Sequence, residues 1–213
     1  MGKEQIKIEL LSPEEIERRS FEIITAELEQ RGIRIPEEEE AIVKRVIHTG
    51  ADFDYADTLR FSEGAVPRIR ELIRGGADIV TDTNMALAGI NKKSLARFGG
   101  EARCFMADED VACQARLRNM TRAAVSMEKA AAGGRKTVFA IGNAPTALIR
   151  LYEMAQEGKW RPDFIIGVPV GFVNVEAAKE LILETDIPYI INVGRKGGSN
   201  IAAAVCNAVL YSL

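Results

Sequence analysis

The sequence predicts an α/β fold: a doubly wound parallel sheet of five strands, preceded by an N-terminal helical segment. Three observations predict it. From residue 77 onward, short apolar runs alternate with amphipathic stretches of helical period. Several of those runs are apolar almost throughout, as strands covered on both faces are. The first seventy-odd residues carry helical periodicity instead. No linker, repeat or low-complexity stretch interrupts the chain, so residues 1–213 read as one domain, with a helical segment over 1–76 and the sheet over 77–213.

Ser12-Pro13-Glu14-Glu15 is a helix start, with an N-cap serine, proline at the first helical position and glutamate at the capping-box position. Ile16, Phe21, Ile24 and Leu28 give that helix an apolar stripe, and Gly32 can end it. Pro36 and the acids Glu37 to Glu40 open a second helix, buried through Ile42, Val43, Val46 and Ile47 and running out at His48-Thr49-Gly50. A third covers Glu63 to Arg74 and stops at Gly75-Gly76. The strands expected next are ADIVTDT (77–83), ARCFMA (102–107), TVFAIG (137–142), DFIIGVPV (163–170) and IPYIINVG (187–194). Helices such as Thr146 to Gln156 and Val175 to Glu184 lie between them. Five strands in one doubly wound sheet make a flavodoxin-like arrangement.

Composition narrows the function. The net charge of −3 gives no electrostatic reason for nucleic-acid binding. An acidic ligand would need a local cluster of Arg, Lys and backbone N–H groups. No apolar run approaches the ~20 residues that span a bilayer, and MGKEQIKIELLSPEEIE has no signal-peptide core. A cytoplasmic protein without membrane attachment is expected. Cys104, Cys113 and Cys206 fit reduced thiols better than a disulfide framework, and no zinc-ligand spacing is present.

In such sheets ligands bind beyond the carboxyl ends of the strands. There the chain places Thr81-Asp82-Thr83-Asn84, Gly142-Asn143-Ala144-Pro145-Thr146, Gly167 to Phe172, and Gly194-Arg195-Lys196-Gly197-Gly198-Ser199-Asn200. Glycines allow close backbone approach, helix N-termini offer N–H groups to anions, and Arg195 and Lys196 add charge. Each loop taken alone also reads as a simple connector. No Walker A or Gly-x-Gly-x-x-Gly spacing supports a nucleotide. Asp52, Asp54 and Asp57 begin like a calcium loop but lack its glycine and distal glutamate, so they read as solvated or capping carboxylates. His48, the only histidine, has two readings: a charge complementing a helix C-terminus, or a general acid.

Six stretches in order, RSFEII (19–24), RVIHTG (45–50), NMTRAA (119–124), AIGNAPTAL (140–148), GVPVGFV (167–173) and GRKGGSNIAAA (194–204), resemble the precorrin-8X methylmutase family, also called cobalt-precorrin-8 methylmutases, of cobalamin biosynthesis. The resemblance implies a cofactor-free isomerase, homodimeric and flavodoxin-like. It would move a methyl group from C11 to C12 of a tetrapyrrole by a 1,5-sigmatropic shift, giving hydrogenobyrinate or cobyrinate. It implies His48 as the catalytic proton donor, Ser20 and Arg122 as ligand contacts, and Arg195, Lys196, Gly197, Gly198 and Ser199 as the glycine-rich ligand loop. Thr83, Asn91 and Asn143 complete the candidate substrate-binding set, with no metal site. Hand-off of product to the next pathway enzyme is a further implication. Asn84 and Ala177-Ala178 depart from the family pattern. A non-catalytic corrinoid carrier and a flavin- or phosphate-binding module are the alternatives, separable by turnover and by pigment.

Overall fold

The structure, a computed structural model, describes residues 11–158 and 160–213. Residues 1–10, which carry most of the stretch read for a signal sequence, lie outside the described residues. The chain forms two compact units, one ending at Arg34 and the other running Ile35–Leu213.

The first unit is built on α1 (Pro13–Gln30). Its capping box closes as the sequence predicts: Ser12 Oγ accepts from the Glu15 N–H, and the Glu15 carboxylate accepts from the Ser12 N–H at 2.9 Å. Gly32, at φ +69°, turns the chain away after the helix. Of the expected stripe, Ile24 and Leu28 are buried, while Ile16 is exposed.

The second unit begins with α2 (Glu37–Gly50), whose buried face is Ile42, Val43, Val46 and Ile47, as expected. The helices α3 (Tyr55–Thr58) and α4 (Ala65–Arg74) flank a short strand, β1 (Leu59–Phe61). Then come β2 (Asp78–Thr81), α5 (Asn84–Gly89), α6 (Lys92–Ala96), β3 (Ala102–Arg103), α7 (Glu109–Leu117) and α8 (Arg122–Ala132). The chain continues through β4 (Thr137–Ile141), α9 (Pro145–Gln156), β5 (Phe164–Gly167), α10 (Val175–Leu183), β6 (Tyr189–Asn192) and α11 (Ser199–Tyr211).

The sheet order is β1-β6-β5-β4-β2-β3. The expectation of five strands is therefore corrected to six. β2 to β6 are parallel, and β1 pairs antiparallel with β6, Arg60 facing Ile191. The extra strand lies in a stretch read as helical. Three residues are too few to show a period of two, and the partner of β1 lies about 130 residues away in the chain. Side chains hold this edge: Tyr189 N–H donates to Ser62 Oγ at 3.0 Å, and Thr58 Oγ1 donates to Asn192 Oδ1 at 2.7 Å.

Helices cover both faces. α11 packs on α2, α4 and α5 and on β4 and β5, while α9 packs on α8, α10 and β4. The sheet's period of two divides its side chains between these layers. Val80, Phe139, Ile141, Ile165 and Ile191 join Met127, Leu148, Leu151 and Ile182 in the core beneath α8, α9 and α10. Among the described residues no helix is long and apolar enough to cross a membrane.

Candidate active site

β2 and β4 are neighbours, and the chain leaves them in opposite directions, toward β3 and β5. Their carboxyl ends therefore frame the crevice where open α/β sheets bind ligands. The protein puts its own carboxylate there. Asp82, 1 % exposed, accepts hydrogen bonds from the N–H groups of Gly142 (2.9 Å), Asn143 (2.8 Å) and Ala144 (2.6 Å). Burial holds its pKa above the ordinary carboxylate value, and the three donors oppose that rise. The backbone donors of this loop, read from sequence as open to an anion, are thus occupied. The Asn143 side chain stays exposed at the strand ends.

The glycine-rich loop after β6 is fastened from several sides. Gly198 N–H donates to Val168 O at 2.9 Å, and Gly171 N–H donates to Arg195 O at 3.2 Å. Asn192 Nδ2 donates to Lys196 O at 2.9 Å. Lys179 on α10, buried, donates to Gly194 O at 2.7 Å and to Lys196 O at 3.0 Å. Gly197, at φ +155°, runs against the Val168 carbonyl so closely that a Cβ would overlap its oxygen. A Cβ on Gly142 would come within 2.7 Å of Ser199 Cα. Ser199, at the start of α11, shares a 2.7 Å hydroxyl hydrogen bond with Thr83, which caps α5 by accepting from the Ala86 N–H. The loops after β2, β4, β5 and β6 are therefore one packed edge.

His48 stands exposed in the last turn of α2. Ala51 follows in a left-handed conformation at φ 48° and turns the chain into Asp52 and Asp54. Both carboxylates accept from Lys196 Nζ at 2.6 Å. Asp52 Oδ1 also accepts from the Asp54 N–H at 3.0 Å, the capping role read for these carboxylates, and the ion pairs add a tie that the sequence reading did not include. Lys196, a candidate ligand contact, is thus also an ion-pair partner within the protein. Its pKa is driven up by the two carboxylates. The pairs also fasten the chain just after His48 to the glycine-rich loop. Arg195 bonds Glu176 at 3.0 Å and lies 5.6 Å over the Phe172 ring.

Arg122 is exposed at the first position of α8 and, among the described residues, forms no ion pair or hydrogen bond. A cation there opposes the helix dipole, so local structure gives no reason for it. The preceding N-cap, Thr121, bonds Thr146 at 2.8 Å and so joins the head of α8 to the first turn of α9, beside the Asp82-held loop. Asn91 is committed elsewhere: it caps α6 by accepting from the Ser94 N–H at 3.0 Å. Ser20 belongs to the first unit, where its hydroxyl donates to Ile16 O at 2.8 Å.

Asp82 was read from sequence only as part of the strand end at 81–84, and Lys179 and Asn192 were not among the sequence candidates. Lys179 did leave a signal, being a lysine on the same helical face as the buried Val175, Ala178 and Ile182. Among the described residues no group of His, Cys, Asp and Glu is arranged to hold a metal ion. The arrangement offers one imidazole, one unpaired guanidinium, a fixed loop with backbone donors, and an exposed apolar rim of Met85, Val170, Phe172 and Val173.

The family model of precorrin-8X methylmutase matches residues 15–212. The chain is 41% identical to the cobalt-precorrin-8 methylmutase of Priestia megaterium over 199 residues, 93% of this chain and 88% of that one. It is 47% identical to the cobalt-precorrin-8 methylmutase of Salmonella typhimurium over 177 residues, 82% of this chain and 81% of that one. It is 39% identical to the precorrin-8X methylmutase of Pseudomonas aeruginosa, covering 91% and 93% of the two chains. The crystal structure of precorrin-8x methyl mutase from Thermus thermophilus superposes with a TM-score of 0.83 at 36% identity, over 92% of this chain and 96% of that one.

Proposed function

The chain belongs to the precorrin-8X methylmutase family, and from that premise we propose a reaction and a division of labour among its residues. It is an isomerase of cobalamin biosynthesis that moves a methyl group within its substrate. The migration runs from C11 to C12 of precorrin-8X, or of its cobalt-containing counterpart, and yields hydrogenobyrinate or cobyrinate. His48 is the general acid/base. It is the only histidine and it is exposed. The ion pairs of Asp52 and Asp54 with Lys196 tie its segment to the glycine-rich loop, and this is the observation that carries the assignment.

A sigmatropic shift needs a single tautomer held in a single geometry, so positioning and one proton transfer suffice. Arg122, free of protein partners among the described residues, suits a ligand carboxylate. The backbone and Arg195 of the 194–199 loop suit another, and the Met85, Val170, Phe172 and Val173 rim suits the face of the ring. Ser20 and Asn143 are retained as side-chain contacts; Thr83 and Asn91 serve by shaping the loops they cap. Lys196 acts through its ion pairs. We extend the proposal to a homodimer covering Phe172 and Val173, to a cytoplasmic location, and to retention of the product for transfer to the next enzyme.

His48→Ala should lower turnover by about 10²–10⁴-fold while leaving the affinity for product unchanged, as read by visible absorption titration. Wild-type turnover in that variant would remove His48 from the mechanism. Tight corrinoid binding by the wild-type protein without turnover would make it a carrier. Titration with hydrogenobyrinic and cobyrinic acids in parallel identifies which form of the ligand it prefers.

A further inference from the structure

Lys179 is 1 % exposed, and among the described residues it has no carboxylate partner within ion-pairing distance. A buried ammonium without a counter-ion works against folding. Its presence asks for another reason. Its two acceptors are the carbonyls of Gly194 and Lys196, in the loop proposed to meet the ligand. Lys179 is not the loop's only fastening. Lys196 O also accepts from Asn192, Gly198 is held by Val168, and Lys196 is tied to Asp52 and Asp54.

A trans peptide points its N–H opposite to its C=O, and among the described residues no peptide is cis. Drawing the Gly194 and Lys196 carbonyls toward a buried ammonium therefore aims the N–H groups of Arg195 and Gly197 the other way. Neither N–H donates to another group among the described residues. A cation bonded to the carbonyl end of a peptide also polarises its N–H, because linked hydrogen bonds strengthen one another at low local dielectric.

We propose that Lys179 is a positioning residue for ligand binding: from beneath the loop it orients and strengthens the Arg195 and Gly197 N–H groups as donors to a ligand carboxylate. The proposal rests on reading residues 194–199 as a ligand-contacting loop. Burial draws the Lys179 pKa down to about 8, with Glu176 on the same helix opposing the fall. The other charges facing it, Arg195 with Glu176 and Lys196 with Asp52 and Asp54, are paired. Below about pH 8 the ammonium is present; as pH rises through that value the charge is lost and the two donors weaken.

The test is Lys179→Met in the full chain, with hydrogenobyrinic acid and cobyrinic acid as probes read by visible absorption. The variant should bind about tenfold more weakly, the effect of losing charge-assisted hydrogen bonds, with thermal stability equal to or above wild type, since it removes a buried charge. Wild-type affinity should fall between pH 7 and 9, and the variant's should not. Unchanged affinity in the variant, or a loss of binding that only follows a loss of folded protein, overturns the proposal. The wild-type pH profile needs no variant, and a flat profile overturns it too. Failure of the wild-type protein to bind either probe at any pH refutes the ligand-loop reading itself.

Discussion

Asp82 shows how one side chain can look like part of a ligand site and be its frame. Its carboxylate takes the three N–H groups that a bound anion would otherwise meet, and so welds the ends of β2 and β4. Gly142 is buried, so water cannot replace the bond to its N–H. Asp82→Ala should therefore cost about 3 kcal/mol of stability, measured by urea denaturation, and a cost under about 1 kcal/mol would show the loop to be held by other contacts. Residues of this kind are hard to read from sequence. Asp82 stands among threonines and an asparagine at a strand end, where a loop polar residue and a buried brace are spelled alike. His48 differs, because its uniqueness and its place at the end of a clear amphipathic helix single it out from the order of residues alone.

At the scale of elements, the glycine-rich loop is the sharpest case. Gly197 lies against the Val168 carbonyl at a φ that side chains rarely adopt. Gly197→Ala cannot keep the path between β6 and α11. It should lose corrinoid affinity by more than about tenfold while the far-UV spectrum stays that of the wild type; normal affinity would mean that the loop's path is immaterial to binding. The helices were legible where spacing and caps agreed. Ser12 and Glu15 close their capping box, and α2, α9 and α10 fall within a residue or two of their expected bounds. The strands were legible as apolar runs but came out shorter, 102–107 contracting to Ala102–Arg103. β1 was missed, because it exists only through pairing with β6.

For the whole molecule, the exposed rim decides what the surface can do. Phe172 is 83 % exposed and Val173 76 % exposed, in the loop after β5. If a second copy covers them, as proposed, the wild-type protein should elute at the mass of a dimer in light scattering and Phe172→Asp at that of a monomer. A wild-type monomer would leave the rim to the ligand alone. Aspartate at this site should leave the monomer folded, since Phe172 contributes little to its own core.

Local order along the chain was enough to settle the alternation of helix and strand, the buried faces of α2 and the five parallel strands, and the family, because each is carried by residues close together in sequence or by whole motifs. The sixth strand, the capture of Lys196 by Asp52 and Asp54, the filling of the Gly142 loop by Asp82 and the burial of Lys179 under the Gly194 loop depended on folding. Each is a pairing of polar groups that are distant in the chain. Period and propensity report which residues share a face of one element, whereas the partner of a charge or a backbone donor is chosen by whichever segment the completed sheet brings beside it.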